Sequence, residues 1–169
     1  MVDDDKDRNE LSRRDFVAMT VAAGLVAATG SAGAAELPVV ETDVQVKTPD
    51  GTCDAAFIHP TTGSYPGVLI WADAFGLRPV LRGMGKRLAA EGYSVLIPNP
   101  FYRLAKAPVI ADPSSFNFQT DGAKIQPLMA SVNAPDAAEK DATAYVAFLD
   151  AQRQVNTSKK IGTQGYCMG

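Results

Sequence analysis

The 169-residue sequence predicts an α/β fold, in which a mostly parallel sheet begins with an N-terminal antiparallel hairpin and is flanked by helices. Three observations lead to this prediction: an alternating strand pair, two short uninterrupted apolar runs, and apolar residues at helical spacing between those runs. Buried strands that alternate with helices favour parallel pairing through right-handed crossovers. The length allows one domain, and 46% apolar with 21% charged residues is typical of a folded protein.

The hairpin is predicted from an alternation of polar residues with valine or threonine across 40–47. This period of two is typical of a strand with one face in water. Pro49-Asp50-Gly51 is a turn sequence, so residues 52–59 are expected to form the returning strand.

Two buried strands are predicted at 67–72 and 93–97, where apolar residues follow one another without alternation. Between these strands, Pro79 suits the first turn of a helix and Gly92 suits its end. Apolar residues within that helix recur at helical spacing, at Leu81, Met84, Leu88 and Ala89.

The second half begins with a long irregular stretch at 99–117, and loops of this length are usually functional or mobile. A short helix, kinked or split by Pro127, is predicted within 121–131. A longer helix is predicted over 136–152, and a last strand begins within 159–162. The longer helix has an apolar face formed by Ala138, Ala142, Tyr145, Val146 and Leu149.

Ligands of such sheets bind at the carboxyl ends of the parallel strands. The loops that follow Trp71, Ile97 and Gly162 are therefore expected to surround a single site.

The charge and residue counts exclude several classes of function. Sixteen basic and nineteen acidic residues give a net charge of −3 without a basic stripe, so neither a nucleic-acid nor an anionic-membrane partner is predicted. Two cysteines and one histidine exclude a disulfide scaffold, a four-thiolate zinc site and a two-histidine metal site. We accordingly predict no metal and no cofactor.

Residues 1–34 are predicted to be a twin-arginine signal peptide that precedes a body at 35–169. Arg13-Arg14, an uncharged run from Phe16 to Ala28, and Ala32-Gly33-Ala34 follow one another in the order of such a signal. The run is too short and too rich in alanine and glycine for a stable membrane anchor. The twin-arginine machinery would then export the protein to the periplasm or the extracellular space. The alternative is a disordered or helical N-terminal extension.

Gly165-Tyr166-Cys167-Met168-Gly169 fits the G-x-nucleophile-x-G pattern directly after the last predicted strand. The nucleophile of such a motif sits on a sharp, strained turn that projects its side chain above the sheet. A side chain two residues away on either flank would clash with the adjoining strand or helix. The alternative is that Cys167 is a small buried residue in a glycine-rich turn.

With this motif the sequence resembles the dienelactone hydrolase family, cysteine-dependent members of the α/β-hydrolase superfamily. The resemblance extends from about Val44 to Gly169 and rests on four segments, of which the last two are the most specific: DAFGL at 73–77, RLAAEGY at 87–93, PNPFYR at 98–103 and GYCMG at 165–169. It implies a partial α/β-hydrolase fold and hydrolysis of carboxylic esters or lactones, as by a carboxymethylenebutenolidase.

The resemblance also implies roles for individual residues. Cys167 would be the nucleophile and attack as a thiolate, helped by the N-terminus of the helix expected after the turn. Met168 and Ala74 would each offer a backbone N–H to the oxyanion. Arg103 matches the family position whose guanidinium can hold a carboxylate on the small-molecule substrate, or else is a structural arginine. Asp73 stands where the family commonly has a glutamate near the resting thiol; the alternative is that Asp73 structures its own loop.

The base of the reaction is not among these residues. In this superfamily the acid and the histidine follow the nucleophile, so both are expected beyond Gly169, and the chain is interpreted as an incomplete, inactive N-terminal part of the domain. The single histidine, His59, is predicted to be an ordinary surface residue at the end of a hairpin strand. The alternative function is a non-catalytic or binding-only remnant of the same fold. Redox use of Cys167 is disfavoured, because there is no C-x-x-C motif and Cys53 lies in the hairpin.

Overall fold

The computed structural model describes residues 36–110 and 112–169. The predicted signal peptide therefore lies outside the described residues. Within them no helix is both long enough and apolar enough to cross a membrane.

Within residues 36–110 and 112–169, five strands form one sheet in the order β1-β2-β4-β3-β5. The strands are β1 (Val39–Thr48), β2 (Gly51–Pro60), β3 (Gly67–Trp71), β4 (Ser94–Pro98) and β5 (Gly162–Gly165). β2 is antiparallel to both β1 and β4, whereas β3 is parallel to both β4 and β5. Only β2 thus runs against the other strands, which confirms the mostly parallel sheet and its antiparallel hairpin.

The turn of the hairpin lies at the edge of the sheet where the parallel strands end. Ala55, near the start of β2, is opposite Pro98 at the carboxyl end of β4. The turn between Thr48 and Gly51 is therefore on the same side of the molecule as the loops that follow β3, β4 and β5. Asp50, within this turn, therefore lies at the edge of the sheet where the loops after the parallel strands are expected to form the site.

The described residues form three α-helices: α1 (Pro79–Ala90), α2 (Phe118–Val132) and α3 (Ala137–Asp150). α1 and α3 pack against the sheet, whereas α2 packs against α3 and around Phe101. Alternate residues of β4 show that α1 and α3 lie on opposite faces. Val95 and Ile97 pack in the core cluster of α1, whereas Leu96 packs in the cluster of α3. Both faces of β4 are buried, as its uninterrupted apolar run predicts.

The helix α2 is longer than predicted and continues through Pro127 without a break. Its N-cap is Asn117, whose side chain accepts a hydrogen bond from the Gln119 N–H at 2.8 Å. Ile125 and Leu128, on either side of the proline, are both buried in one cluster with Phe101. Tertiary packing on both sides of Pro127 therefore outweighs the local preference for a break.

The buried face of α3 differs from the predicted apolar face. Ala138 and Val146 are exposed, and the buried stripe is Ala137, Asp141, Tyr145 and Leu149, at intervals of four residues. The prediction is confirmed for Tyr145 and Leu149 and wrong for Ala138 and Val146, because it placed no carboxylate in the core. Asp141 can be buried there because Arg103 and Tyr102 donate hydrogen bonds to it.

Candidate active site

Cys167 lies on a sharp turn directly after β5. Its φ of 58° is left-handed, a conformation that costs a non-glycine residue roughly 1–2 kcal/mol. The Gly169 N–H donates to the Tyr166 carbonyl at 3.0 Å, and the Tyr166 N–H donates to the Trp71 carbonyl at 3.2 Å. The Cys167 side chain is exposed. The predicted strained turn is therefore present, and the thiol is not buried in it.

Both glycines of the motif are required by close backbone contacts. A Cβ atom at Gly169 would lie 2.6 Å from both the Cβ and the carbonyl oxygen of Trp71. A Cβ atom at Gly165 would overlap the carbonyl oxygen of Gly169. This is the steric reason on which the sequence argument for the motif rested.

Ala74 and Met168 lie in loops at the carboxyl edge of the sheet, the first after β3 and the second after β5. Ala74 belongs to a turn after β3, in which the Gly76 N–H donates to the Asp73 carbonyl at 2.9 Å. The side chains of Ala74 and Met168 pack against the same cluster around Phe101. Among the protein hydrogen bonds of the described residues, none has the N–H of Ala74 or Met168 as donor. Neither N–H is thus engaged by another group of the described residues.

The side chain of Asp73 binds groups of its own loop. Its Oδ1 accepts from the Phe75 N–H at 3.0 Å and from Arg78 Nη1 at 2.6 Å, and its Oδ2 accepts from Arg78 Nη2 at 2.8 Å. The Arg78 guanidinium also lies 5.6 Å from the centre of the Phe75 ring. These contacts correspond to the loop-structuring role. They do not support the prediction that Asp73 partners the thiol.

Arg103 lies in the loop after β4, as predicted, but it already binds two carboxylates of this chain. It donates to Asp141 through Nη1 at 2.9 Å and Nη2 at 2.7 Å, and to Asp50 through Nε at 3.0 Å and Nη2 at 2.8 Å. Burial alone would lower the pKa of Arg103, but the hydrogen bonds to these carboxylates outweigh it and raise that pKa. The contacts are those of a structural arginine and do not support a free carboxylate clamp.

Tyr102 and Asp141 complete this cluster, and sequence reasoning missed both. The Tyr102 hydroxyl donates to Asp141 Oδ1 at 2.7 Å and lies 2.8 Å from the Thr48 hydroxyl. Burial, together with the neighbouring Asp141 carboxylate, raises the pKa of Tyr102. The available signal was an acidic residue four positions before the buried Tyr145, on the helix face that contacts the sheet.

A cavity of about 360 Å³ lies between the nucleophile turn and α3. Its lining is mostly apolar and includes Trp71, Ala72, Pro98, Pro100, Tyr145 and Met168. Asp141 is the one charged residue among those that line it. The cavity borders the two residues that follow Cys167, Met168 and Gly169.

His59 lies at the opposite edge of the sheet from Cys167. Ile58 is opposite Val95, so the end of β2 lies beside the start of β4, whereas Cys167 follows the carboxyl end of β5. The expectation of a surface position was wrong, because His59 is buried against the ring of Phe57 at a centroid distance of 5.0 Å. Its Nδ1 lies 2.7 Å from the Pro60 carbonyl. His59 therefore cannot act as a base on Cys167.

Cys53 is a buried structural thiol and does not pair with Cys167. Its Sγ accepts from the Tyr145 hydroxyl at 3.3 Å and lies 3.4 Å from the Asn99 carbonyl. Burial raises the pKa of Cys53 to about 12. Cys167 is consequently the accessible thiol of the described residues.

Comparison with known proteins places these features in one family. The model of the dienelactone hydrolase family matches residues 53–169. A Methylorubrum extorquens protein described as a "Putative carboxymethylenebutenolidase" is 26% identical over 169 aligned positions, which cover 94% of this chain and 54% of that protein. A carboxymethylenebutenolidase of Rhodococcus opacus is 35% identical over 65 positions, covering 37% of this chain and 25% of the relative. The chain thus spans about half the length, or less, of these curated relatives.

Solved structures show the same fold. The protein m3DLH superimposes with a TM-score of 0.61 at 23% identity, over 78% of this chain and 50% of its own. The dienelactone hydrolase-like promiscuous phosphotriesterase P91 from metagenomic libraries superimposes with a TM-score of 0.59, also at 23% identity, over 78% of this chain and 51% of its own.

Proposed function

Since the chain belongs to the dienelactone hydrolase family, we propose that it provides the nucleophile and the oxyanion donors of a hydrolase acting on carboxylic esters or lactones. The observation that carries the proposal is the exposed Cys167 on a left-handed turn, followed by Met168, whose N–H donates to no protein group of the described residues. The Ala74 N–H, in the loop after β3, likewise donates to none and is proposed as the second oxyanion donor.

The proposed reaction passes through a thioester. The Cys167 thiolate adds to the carbonyl carbon of the substrate, and the resulting oxyanion accepts hydrogen bonds from the N–H groups of Met168 and Ala74. Collapse of this intermediate breaks the bond to the alkoxide, which leaves with a proton. Water then hydrolyses the thioester, releasing a carboxylate and regenerating the thiol. Loss of one oxyanion donor typically costs about 2.7–4 kcal/mol of transition-state stabilisation.

The general base and its orienting carboxylate are proposed to lie beyond Gly169. The sole histidine, His59, is at the wrong edge of the sheet, so proton transfer at Cys167 has no imidazole within these 169 residues. Acylation by an activated ester needs only the thiolate, whereas efficient deacylation needs water activated by a base. We therefore expect the 169-residue chain to be acylated without turning over.

The test uses p-nitrophenyl acetate and peptide mass analysis. The 169-residue chain should release about one equivalent of p-nitrophenolate, carry one acetyl group on Cys167, and show no steady turnover above the Cys167→Ala variant. Cys53→Ala is the matched control and should acetylate like the parent. Sustained turnover that Cys167→Ala abolishes would reveal a base within this chain. Acetylation of other residues with Cys167 unmodified would contradict the nucleophile assignment.

A non-catalytic binding protein is the second candidate, favoured by the absence of a histidine near Cys167 among the described residues. The two candidates differ in the acetylation experiment. A binding-only protein has no need of a reactive thiol, so Cys167 would acetylate no faster than the same cysteine in the unfolded chain.

We also propose that the protein is exported by the twin-arginine machinery, from Arg13-Arg14, the uncharged run and Ala32-Gly33-Ala34. Arg13→Lys combined with Arg14→Lys should block export, measured by fractionation of the expressing cells. Unchanged export of the double variant would remove the twin-arginine interpretation.

A further inference from the structure

We propose that the acyl site beside Cys167 takes neutral, apolar acyl groups, because Asp141 and Asp50 keep Arg103 from binding a substrate carboxylate. The inference rests on the proposed function of Cys167 and specifies its substrate class.

The hydrogen-bonding capacity of Arg103 is nearly exhausted. A guanidinium has five N–H groups. Arg103 makes four hydrogen bonds with Asp50 and Asp141, which engage Nε and both terminal nitrogens. Its centre also lies 4.6 Å from the centre of the Tyr102 ring, and its side chain is only 12% exposed. A substrate carboxylate would have to displace one of these partners to gain a bidentate contact.

The charges around Arg103 also disfavour a third carboxylate. Two carboxylates of this chain face one guanidinium, and Lys140 approaches Asp50 only from the exposed surface of α3. Asp141, rather than the guanidinium, lines the cavity beside the nucleophile turn. An anionic acyl group in that cavity would therefore meet a like charge.

The cavity itself suits an apolar group. Its volume of about 360 Å³ is within the range of small-molecule sites, and the side chains of Trp71, Pro98 and Met168 contribute to an apolar lining. Burial of an uncharged acyl chain against these side chains removes apolar surface from water without desolvating a charge.

The test compares alkylation of Cys167 by iodoacetamide and by iodoacetate, which differ mainly in charge. The ratio of the two rates is measured in the folded 169-residue chain and in the same chain unfolded in urea. The folded chain should favour iodoacetamide over iodoacetate by at least the unfolded ratio, and by up to about fivefold more at low salt. A folded ratio below the unfolded ratio would show that the site attracts carboxylates and would overturn the proposal.

Matched variants test whether Asp141 is responsible. Asp141→Asn should shift the folded ratio toward iodoacetate by about two- to fivefold, because Arg103 loses one opposing charge. Asp150→Asn, the same substitution on the same helix but outside the cluster, should leave the ratio unchanged. If Asp141→Asn does not fold, Asp50→Asn, at the exposed hairpin turn, replaces it and should shift the ratio of the two rates in the same direction. Equal ratios for the parent and all three variants would overturn the proposal.

The failure of the proposed function gives a different result. If Cys167 is not a nucleophile site, both reagents label it no faster than in the unfolded chain, and the acetylation experiment also fails. If only the inference on substrate class is wrong, Cys167 reacts rapidly, but the folded ratio falls below the unfolded ratio or does not respond to Asp141→Asn and Asp50→Asn.

Discussion

Replacement of Asp141 by alanine should destabilise the folded chain strongly, because this one buried carboxylate accepts hydrogen bonds from two partly buried side chains. Asp141 accepts from the Tyr102 hydroxyl at 2.7 Å and from Arg103 at 2.7 and 2.9 Å. The side chains of Arg103 and Asp141 are 12% and 8% exposed. Breaking a buried ion pair by removing one partner costs about 3–5 kcal/mol. In the variant Arg103 still binds Asp50, and the Tyr102 hydroxyl still contacts the Thr48 hydroxyl. We therefore expect the free energy of unfolding to fall by about 3 kcal/mol, the lower end of that range.

Urea denaturation followed by circular dichroism measures this cost. With a slope of about 1–2 kcal/mol per molar urea for a domain of this size, the midpoint of Asp141→Ala should fall by about 1.5–3 M at constant slope. Asp150→Ala removes an exposed aspartate from the same helix and should change the free energy of unfolding by less than about 0.5 kcal/mol. A cost for Asp141→Ala within about 1 kcal/mol of that control would refute the account of the Arg103 cluster.

Two further predictions concern stability. In α1, a Cβ at Gly83 meets no atom within 4 Å, so Gly83→Ala should stabilise the chain by about 0.5–1 kcal/mol. A Cβ at Gly85 would lie 2.8 Å from Cδ1 of both Ile58 and Ile97, so Gly85→Ala should destabilise it by about 1–3 kcal/mol; equal thermal midpoints for the two variants would contradict this packing. At alkaline pH, Cys53 with its pKa raised to about 12 stays protonated in the folded chain, while the unfolded thiol ionises near its ordinary 9.0. Its contribution to stability is therefore complete below about pH 9 and declines toward pH 12 by about 1.4 kcal/mol per unit. Cys53→Ala should flatten the fall of the free energy of unfolding between pH 9 and 10.5, and an unchanged slope would show that the thiol is not buried.

Features with a local cause were predicted from the sequence. The alternation across 40–47 and the apolar runs at 67–72 and 93–97 correspond to β1, β3 and β4, since each pattern is set by which faces of a single strand are covered. The sharp, strained turn at Cys167 was predicted from the spacing of its two glycines. The contact that requires Gly165 lies within the motif, at the Gly169 carbonyl, whereas the contact that requires Gly169 is with Trp71 of β3.

Features that depend on distant partners could not be predicted in this way. The burial of Asp141 depends on Arg103, which is 38 residues earlier in the chain, so the apolar pattern of α3 alone identified Tyr145 and Leu149 but missed Asp141. The contacts of Arg103 depend equally on Asp50 at the hairpin turn, a pairing set by the antiparallel register of β2 and β4. Family resemblance placed Arg103 in the correct loop and left its partners open.

The continuity of α2 through Pro127 has a similar origin. A proline inside a helix removes one backbone hydrogen bond and locally favours a break. The packing of Ile125 and Leu128 against Phe101 supplies the opposing contribution, and Phe101 belongs to a different part of the sequence. The role of Asp73 could likewise not be decided from the sequence. Only the hydrogen bonds from Arg78 show that Asp73 structures its own loop and does not partner the thiol.

The formation of an oxyanion at Cys167 can be observed by nuclear magnetic resonance of the ¹⁵N-labelled chain treated with an aryl trifluoromethyl ketone. The thiolate adds to the ketone carbonyl and leaves an alkoxide where the substrate oxyanion would form. We predict that the amide protons of Ala74 and Met168 both move downfield, as expected for new hydrogen bonds to an anion, and that neither moves in Cys167→Ala. An adduct on Cys167 that leaves these two amide resonances unchanged would contradict the account.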